Sequence, residues 1–411
     1  MRKALALALV AVAVAAAAAL SASAGPQHAT SGVTGVTRTS IKLGGTFPLS
    51  GIASIYGVIP KGMAAYFKYV NAHGGVHGRK IVWKYYDDAY DPAQTVQLTH
   101  KLVESDHVFA IAGSLGTEGN LAIRPYLNGK KIPQLLISTG ATMFGTQMKQ
   151  YPWTIGWQPD YVSEGKLYAR WILNNAPKAK IAVLYQNDEY GQDYLSGLEA
   201  GLGKKKSLIV SKEHYEATDT QYGPQILRNK LSGADTWVLL TTPVPTVKAM
   251  LQAKAIAFRP GTIVINSVSA SDAVMHAAEQ NVGKDYTDGD ISDSYLKNPP
   301  NPKYVKDPAI KRYKKIAHTY SKGSNTNDVI FYYGVAKAYD MVQILRHAGK
   351  NPTRASVMRA ARHMNWVNPF TIKGMRVRTT RSDGFPLDQV KMIRYQSGTW
   401  SEISALMKAR R

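Results

Sequence analysis

The chain has 411 residues, 45% of them hydrophobic, and a formal net charge of +23. That length suits two domains with sizeable cores, and the absence of cysteine excludes disulfides, thiol chemistry and a lipid-modified cysteine. The positive charge would point to nucleic acid in a cytoplasmic protein. Here, however, the basic residues are dispersed (Lys204–Lys206, Lys311–Lys315, Arg376–Arg381) and no zinc-finger or RNP-type motif accompanies them, so they read as solvated faces and no nucleic-acid partner is expected.

The chain opens as a secretory signal. Arg2 and Lys3 precede the uncharged apolar run Ala4–Leu20, and Ala22-Ser23-Ala24 is a small-residue cleavage site. Residues 1–24 are therefore expected to be removed, and 25–39 to form a flexible lead-in. No later run is long enough to span a bilayer, which predicts a periplasmic or otherwise extracytoplasmic protein.

Ile41–Thr46 reads as a strand, Pro60–Asn71 as a helix with Met63, Phe67 and Val70 on one face, and Lys80–Tyr86 as the next strand. His73 and His77 are separated by glycines that favour a turn over a metal-binding pair. Asp87, Asp88 and Asp91 lack the spacing of a calcium loop, and Asp91 reads as the cap of a helix over Pro92–Glu104. The apolar run Val108–Ala112 leads into G-S-L-G-T-E-G, a glycine-rich turn before a helix over Asn120–Asn128. A helix start at the carboxyl end of a parallel strand is a ready place for an anion; Thr117 can cap that helix or turn its hydroxyl to a ligand. Ile132–Ile137 is the following strand and ends in the hydroxyl-rich loop Ser138–Thr142.

Trp153–Tyr161 reads as an extended crossover, after which the strand–helix alternation begins again. Helices are expected over Glu164–Asn174, Gln192–Leu202, Gln225–Leu231 and Val247–Ala255, with strands at Lys180–Tyr185, Leu208–Glu213, Thr236–Leu240 and Thr262–Asn266. Helices over Ala309–Ser321, Val329–His347 and Thr353–Arg362 follow. The strands Phe370–Thr379 and Gln389–Tyr395 are expected to be joined by a turn at Asp383-Gly384. Two successive βαβ series predict an α/β protein of two doubly wound lobes.

Enzyme signatures are missing from the sequence. There is no G-x-S-x-G and no HExxH, and Gly197–Lys205 fails the spacing of a phosphate-binding loop. No set of residues orders a nucleophile, a base and an orienting group, so neither catalysis nor a cofactor or metal is expected.

The ordered set I-K-L-G-G-T-F-P-L-S-G-I-A-S-I-Y-G (Ile41–Gly57), N-A-H-G-G-V-H-G-R-K (Asn71–Lys80), Y-D-D-A-Y-D-P (Tyr86–Pro92), G-S-L-G-T (Gly113–Thr117), S-T-G-A-T (Ser138–Thr142) and N-D-E-Y-G (Asn187–Gly191) resembles the branched-chain amino-acid solute-binding proteins of ABC transporters. The resemblance implies a type I periplasmic-binding-protein fold, two α/β lobes joined by three crossovers. The first lobe would take about 40–157 and 290–365, the second about 158–289 and 366–411. It also implies a monomer that captures a small solute between the lobes and delivers it to a membrane permease. The alternative is a ligand sensor of the same fold that acts in signalling.

The same resemblance assigns the ligand carboxylate to Thr117, the backbone at Gly140 and the Thr142 hydroxyl, with Thr139 and Ala141 also expected at the ligand. It lays Tyr56 over the ligand side chain and has Tyr190 close from the second lobe, with Thr242 and Ser267 nearby. The family's acid for an amino group would lie within Asn266–Ser269, and none stands there. A buried ammonium without a carboxylate is costly. The expectation is therefore a carboxylate or a neutral amide-like or aromatic solute without an α-amino group, unless Asp160, Asp188 or Asp272 supplies the charge.

Overall fold

The computed structural model describes residues 32–409; the expected signal peptide lies outside them. A first parallel sheet is built from β1 (Ser40–Phe47), β2 (Lys80–Asp87), β3 (Ala110–Ala112) and β4 (Gln134–Leu135) in the order β2-β1-β3-β4. The central strand β1 buries Leu43 and Phe47 completely, as a strand covered on both faces should. Helices Ile59–Ala72, Pro92–His100 and Thr117–Gly129 connect its strands. Asp91 caps the second of these through the Ala93 N–H, as expected.

The second sheet holds β5 (Ile181–Gln186), β6 (Ile209–Tyr215), β7 (Thr236–Leu240), β8 (Thr262–Ile265) and β9 (Ile291–Ser294), with parallel pairing among them. Its centre, β7, is buried throughout. Two strands, β10 (Asn365–Trp366) and β11 (Val377–Arg378), pair only with each other. Then β12 (Gln389–Gln396) runs antiparallel to β9 and pairs on its other side with β13 (Thr399–Glu402), while β14 (Met407–Lys408) also pairs with β12. Among the described residues no helix is long and apolar enough to cross a membrane.

Two expectations change. The strand read at Phe370–Thr379 is reduced to Val377–Arg378, and the turn closed by the Thr380 N–H on the Asp383 carbonyl does not make a hairpin with Gln389–Gln396. Instead, residues 384–387 run along residues 145–157: the Gly384 N–H donates to the Gly145 carbonyl and the Leu387 N–H to the Trp157 carbonyl. Tertiary contact with Phe385, which packs on Gly145, overrides the local strand pattern. The helix Asp272–Val282, capped by Ser271, and strand β9 were not expected from the sequence.

One contact fixes the helix that carries the buried Lys337 and Asp340. Helices Ile59–Ala72 and Val329–His347 cross at Gly62 and Gly334. A Cβ at Gly334 would meet the Ile59 carbonyl oxygen at 2.2 Å, and one at Gly62 would meet that of Phe331 at 2.2 Å. Only glycine permits backbones this close.

Candidate functional site

Strand-end loops of both sheets converge on one cavity, which encloses about 100 Å³. From the first sheet come Tyr56, Gly116, Thr117, Ser138 and Thr139; from the second, Tyr190, Thr242, Ser267 and Val268. Tyr161, Asp293, Tyr295 and Tyr333 complete much of the wall.

The first-sheet side is a hydroxyl cluster on glycine turns. Gly116 is the N-cap of its helix with φ of 102° and no side-chain cap, a conformation that suits glycine. Thr117, the next residue, does not cap the helix. Its hydroxyl meets the Thr139 hydroxyl at 2.7 Å, a contact in which one of the two donates and the other accepts. Thr139 also accepts from the Ala141 N–H at 3.1 Å.

The structure brings together Tyr56, Thr117, Thr139, Tyr190, Thr242 and Ser267 from the expected set. Tyr56 donates its hydroxyl to the Val268 carbonyl at 3.1 Å, a bond from the loop after β1 to the loop after β8. Tyr190 accepts from the Asn266 amide and packs edge-on against Tyr161. Gly140, Ala141 and Thr142 fall outside the cavity lining. The Gly140 carbonyl accepts from the Tyr161 N–H, and Ala141 is fully buried. The Thr142 N–H donates to Asp193 Oδ2 at 2.7 Å and its hydroxyl to Asp160 Oδ1 at 3.4 Å. These residues tie the first-sheet loop to the helix Glu189–Leu202.

Asn266–Ser269 holds no acid, as read from the sequence, but an acid not weighed there stands in the cavity wall. Asp293, on β9, lines the cavity and is 1% exposed. Its Oδ1 accepts from the Tyr168 hydroxyl at 2.5 Å, and its Oδ2 has no hydrogen-bond partner among the described residues. Beside it, Glu164 is fully buried; its Oε2 accepts from Tyr194 at 2.6 Å and from the cavity-lining Ser267 at 2.8 Å. Burial pushes the Asp293 carboxyl up to about 7. Burial first, and then the charge of Asp293, raises Glu164 well above the usual carboxylate range. Two buried acids that share the Tyr168 hydroxyl disfavour being charged together.

The other acids weighed from the sequence are engaged elsewhere. Asp160 caps the helix Tyr161–Asn175, and Asp188 caps Glu189–Leu202. Asp272 accepts from Asn298, Thr399 and the Trp400 N–H. None of the three is in the cavity wall. Among the described residues no cluster of histidine and acidic side chains could hold a metal ion. His73 and His77 each bond a backbone carbonyl.

The chain is similar to the leucine-specific-binding protein of Salmonella typhimurium, 27% identical over 168 residues that make up 41% of this chain and 45% of that protein. The likeness thus spans less than half the length of that relative. In fold it is similar to a branched-chain amino-acid ABC transporter protein from Thermus thermophilus with bound valine, with a TM-score of 0.78 at 16% identity over 91% of this chain and 97% of that one. It is also similar to an R. palustris solute-binding protein in complex with 4-hydroxybenzoate, with a TM-score of 0.74 at 18% identity over 90% and 97% of the two chains. The family profile described as periplasmic binding protein matches residues 40–399. With two sheets of parallel strands facing one cavity, the chain belongs to the periplasmic binding proteins, a family of binders rather than enzymes.

Proposed function

We propose that this protein is the extracytoplasmic receptor of an ABC importer, which captures a small amino-acid-like solute between its lobes and delivers it to a membrane permease. The observation that carries the reading is the polarity of the cavity. Hydroxyls at Thr117 and Thr139 stand on the first-sheet side, and the buried carboxyl of Asp293 stands on β9 of the second sheet. The first end suits a carboxylate, the second an ammonium. Asp293 replaces the acid missing from Asn266–Ser269 and removes the reason to expect a ligand without an amino group. The tyrosines Tyr56, Tyr90, Tyr161, Tyr190, Tyr295 and Tyr333 offer faces to an apolar or aromatic side chain.

The two lobes hinge about the cavity, with Tyr56–Val268 and Thr142–Asp193 as contacts of the closed form. Pairing of β9 with β8, and the Trp157–Leu387 hydrogen bond, support chain exchanges between lobes near 158, 295 and 388 rather than at 290 and 366. The expected cleaved signal at 1–24 supports export.

Mass spectrometry of solute released from natively purified protein, followed by calorimetry with L-leucine, its α-keto acid and 4-hydroxybenzoate, tests the reading. An amino acid should be found, and the keto acid should bind at least about tenfold more weakly than its amine counterpart, the loss of one charge-assisted contact. Equal or tighter binding of the keto acid would remove Asp293 from ligand recognition.

A further inference from the structure

A buried lysine lies behind the first-sheet side of the cavity. Lys337, on the helix Val329–His347, is completely inaccessible. Its Nζ donates to the Ser138 hydroxyl and, at 2.7 Å, to the Tyr333 hydroxyl. Both of those residues line the cavity. Each has already given its own hydrogen away, Ser138 to the Gly113 carbonyl at 2.7 Å and Tyr333 to Gln158 Oε1 at 2.8 Å. The amine must therefore be the donor in both contacts. Its third position is a lone pair when neutral and a third N–H when charged. The rings of Trp157 and Tyr333 stand 4.9 and 4.4 Å from Nζ, an arrangement that stabilises a cation.

The groups that could fix its charge are few. On its own helix, Tyr333 meets it directly and Asp340 acts on it from one turn further along. The carboxylate of Asp340 is occupied by the indole N–H groups of Trp157 and Trp366, each at 2.8 Å, and by the Asn368 amide at 2.9 Å. The opposing segments bring Ser138, Trp157 and, against Gly113, Met63. Burial holds the Lys337 amine well below the usual lysine range.

We propose that Lys337 is the concealed counter-charge of the binding cavity: it is neutral in the free protein and takes up one proton from solvent when a solute carboxylate occupies the Thr117–Thr139–Ser138 side. It thereby makes that end selective for anions. This rests on the reading of the cavity as a carboxylate site. A hydroxyl cluster alone would accept an amide as readily as an acid; a lysine that charges on demand favours the acid. Binding of the acid should also tighten as pH falls through the bound-state pKa of the amine, because the bound form holds the extra proton.

The experiment uses the mature chain, 15N-labelled at lysine, with the Lys337 signal identified by its loss in Lys337→Met and in Lys337→Arg. The probes are 4-methyl-2-oxopentanoate, which has no ammonium to disturb Asp293, L-leucine, and the neutral 4-methylpentanamide. Lys337 should be neutral at pH 7.5 in free protein and protonated with the keto acid bound. Calorimetry in buffers of different ionisation enthalpy should show uptake of about one proton per keto acid, and none in Lys337→Met. That variant should lose about 10- to 100-fold in affinity for the carboxylates and little for the amide. Where neither substituted chain folds, the wild-type proton count decides alone. Binding of a carboxylate with Lys337 already charged, or without proton uptake, overturns the proposal and leaves the carboxylate site standing. Failure of every carboxylate probe to bind overturns both.

Discussion

Replacing Asp293 by asparagine separates stability from binding. The side chain is 1% exposed and its carboxyl is raised from 3.8 to about 7 by burial. An acid whose folded pKa exceeds its unfolded value binds a proton more tightly in the folded state. It is therefore least unfavourable below about pH 4, and its cost grows as pH rises toward 7 and levels off above. With 1.36 kcal/mol for each tenfold change in proton affinity, wild type should gain roughly 3 kcal/mol from this group between pH 8 and pH 5, and about half that if Glu164 shares the proton. Asp293→Asn keeps an oxygen for the Tyr168 hydroxyl and removes the charge. It should be more stable than wild type by about 1.5–3 kcal/mol at pH 8, and the advantage should shrink toward pH 5. Guanidinium denaturation of ligand-free protein at both pH values measures this. In calorimetry the same variant should bind an amino acid about 30- to 1,000-fold more weakly, the cost of leaving an ammonium unpaired in a closed cavity. A variant no more stable than wild type at pH 8, or equally advantaged at both pH values, would refute the assignment of a strained buried acid.

Thr117→Val should weaken carboxylate binding by about 1.5–3 kcal/mol in calorimetry while leaving the melting temperature nearly unchanged, since the hydroxyl does not cap its helix. Tyr56→Phe deletes the hydroxyl that reaches the Val268 carbonyl; small-angle scattering should show a larger radius of gyration without ligand, from a closed form weakened by about 1 kcal/mol. Gly334→Ala should lower stability by about 3 kcal/mol or more in thermal denaturation, because its Cβ would lie 2.2 Å from the Ile59 carbonyl oxygen.

Much of the scaffold was legible because its elements obey simple periods. Thr236–Leu240 and Val329–His347 have the bounds expected from their apolar runs, and the hydroxyl loops after β3 and β4 announce themselves by glycine and threonine at strand ends. The charged half of the site was not legible in the same way. Asp293 sits in I-S-D-S, a strand with one apolar residue, held by pairing with β12 rather than by its own pattern. Glu164 lies in the first turn of a helix, where an acid is ordinarily a favourable surface charge. Lys337 did leave a trace: it stands on the stripe Gly334, Lys337, Met341 and Ile344 of a helix that is apolar on most sides, where a solvated lysine has no place. The run of residues 384–387 along residues 145–157 had no local sign, since it depends on contacts between segments distant in the chain.

The pairing of β9 with β12 gives the site a place in time. Between Asp293 and its cross-strand partner Met392 lie the whole return through the first sheet's side and the β10–β11 pair. With β8, β9 shares only the Val264–Ile291 register. A chain emerging from its N-terminus can thus form the hydroxyl loops early, but lacks the full strand pairing that holds Asp293 until residue 394 has appeared. Long-range pairing of this kind closes late, so ligand recognition is a property of the finished polypeptide.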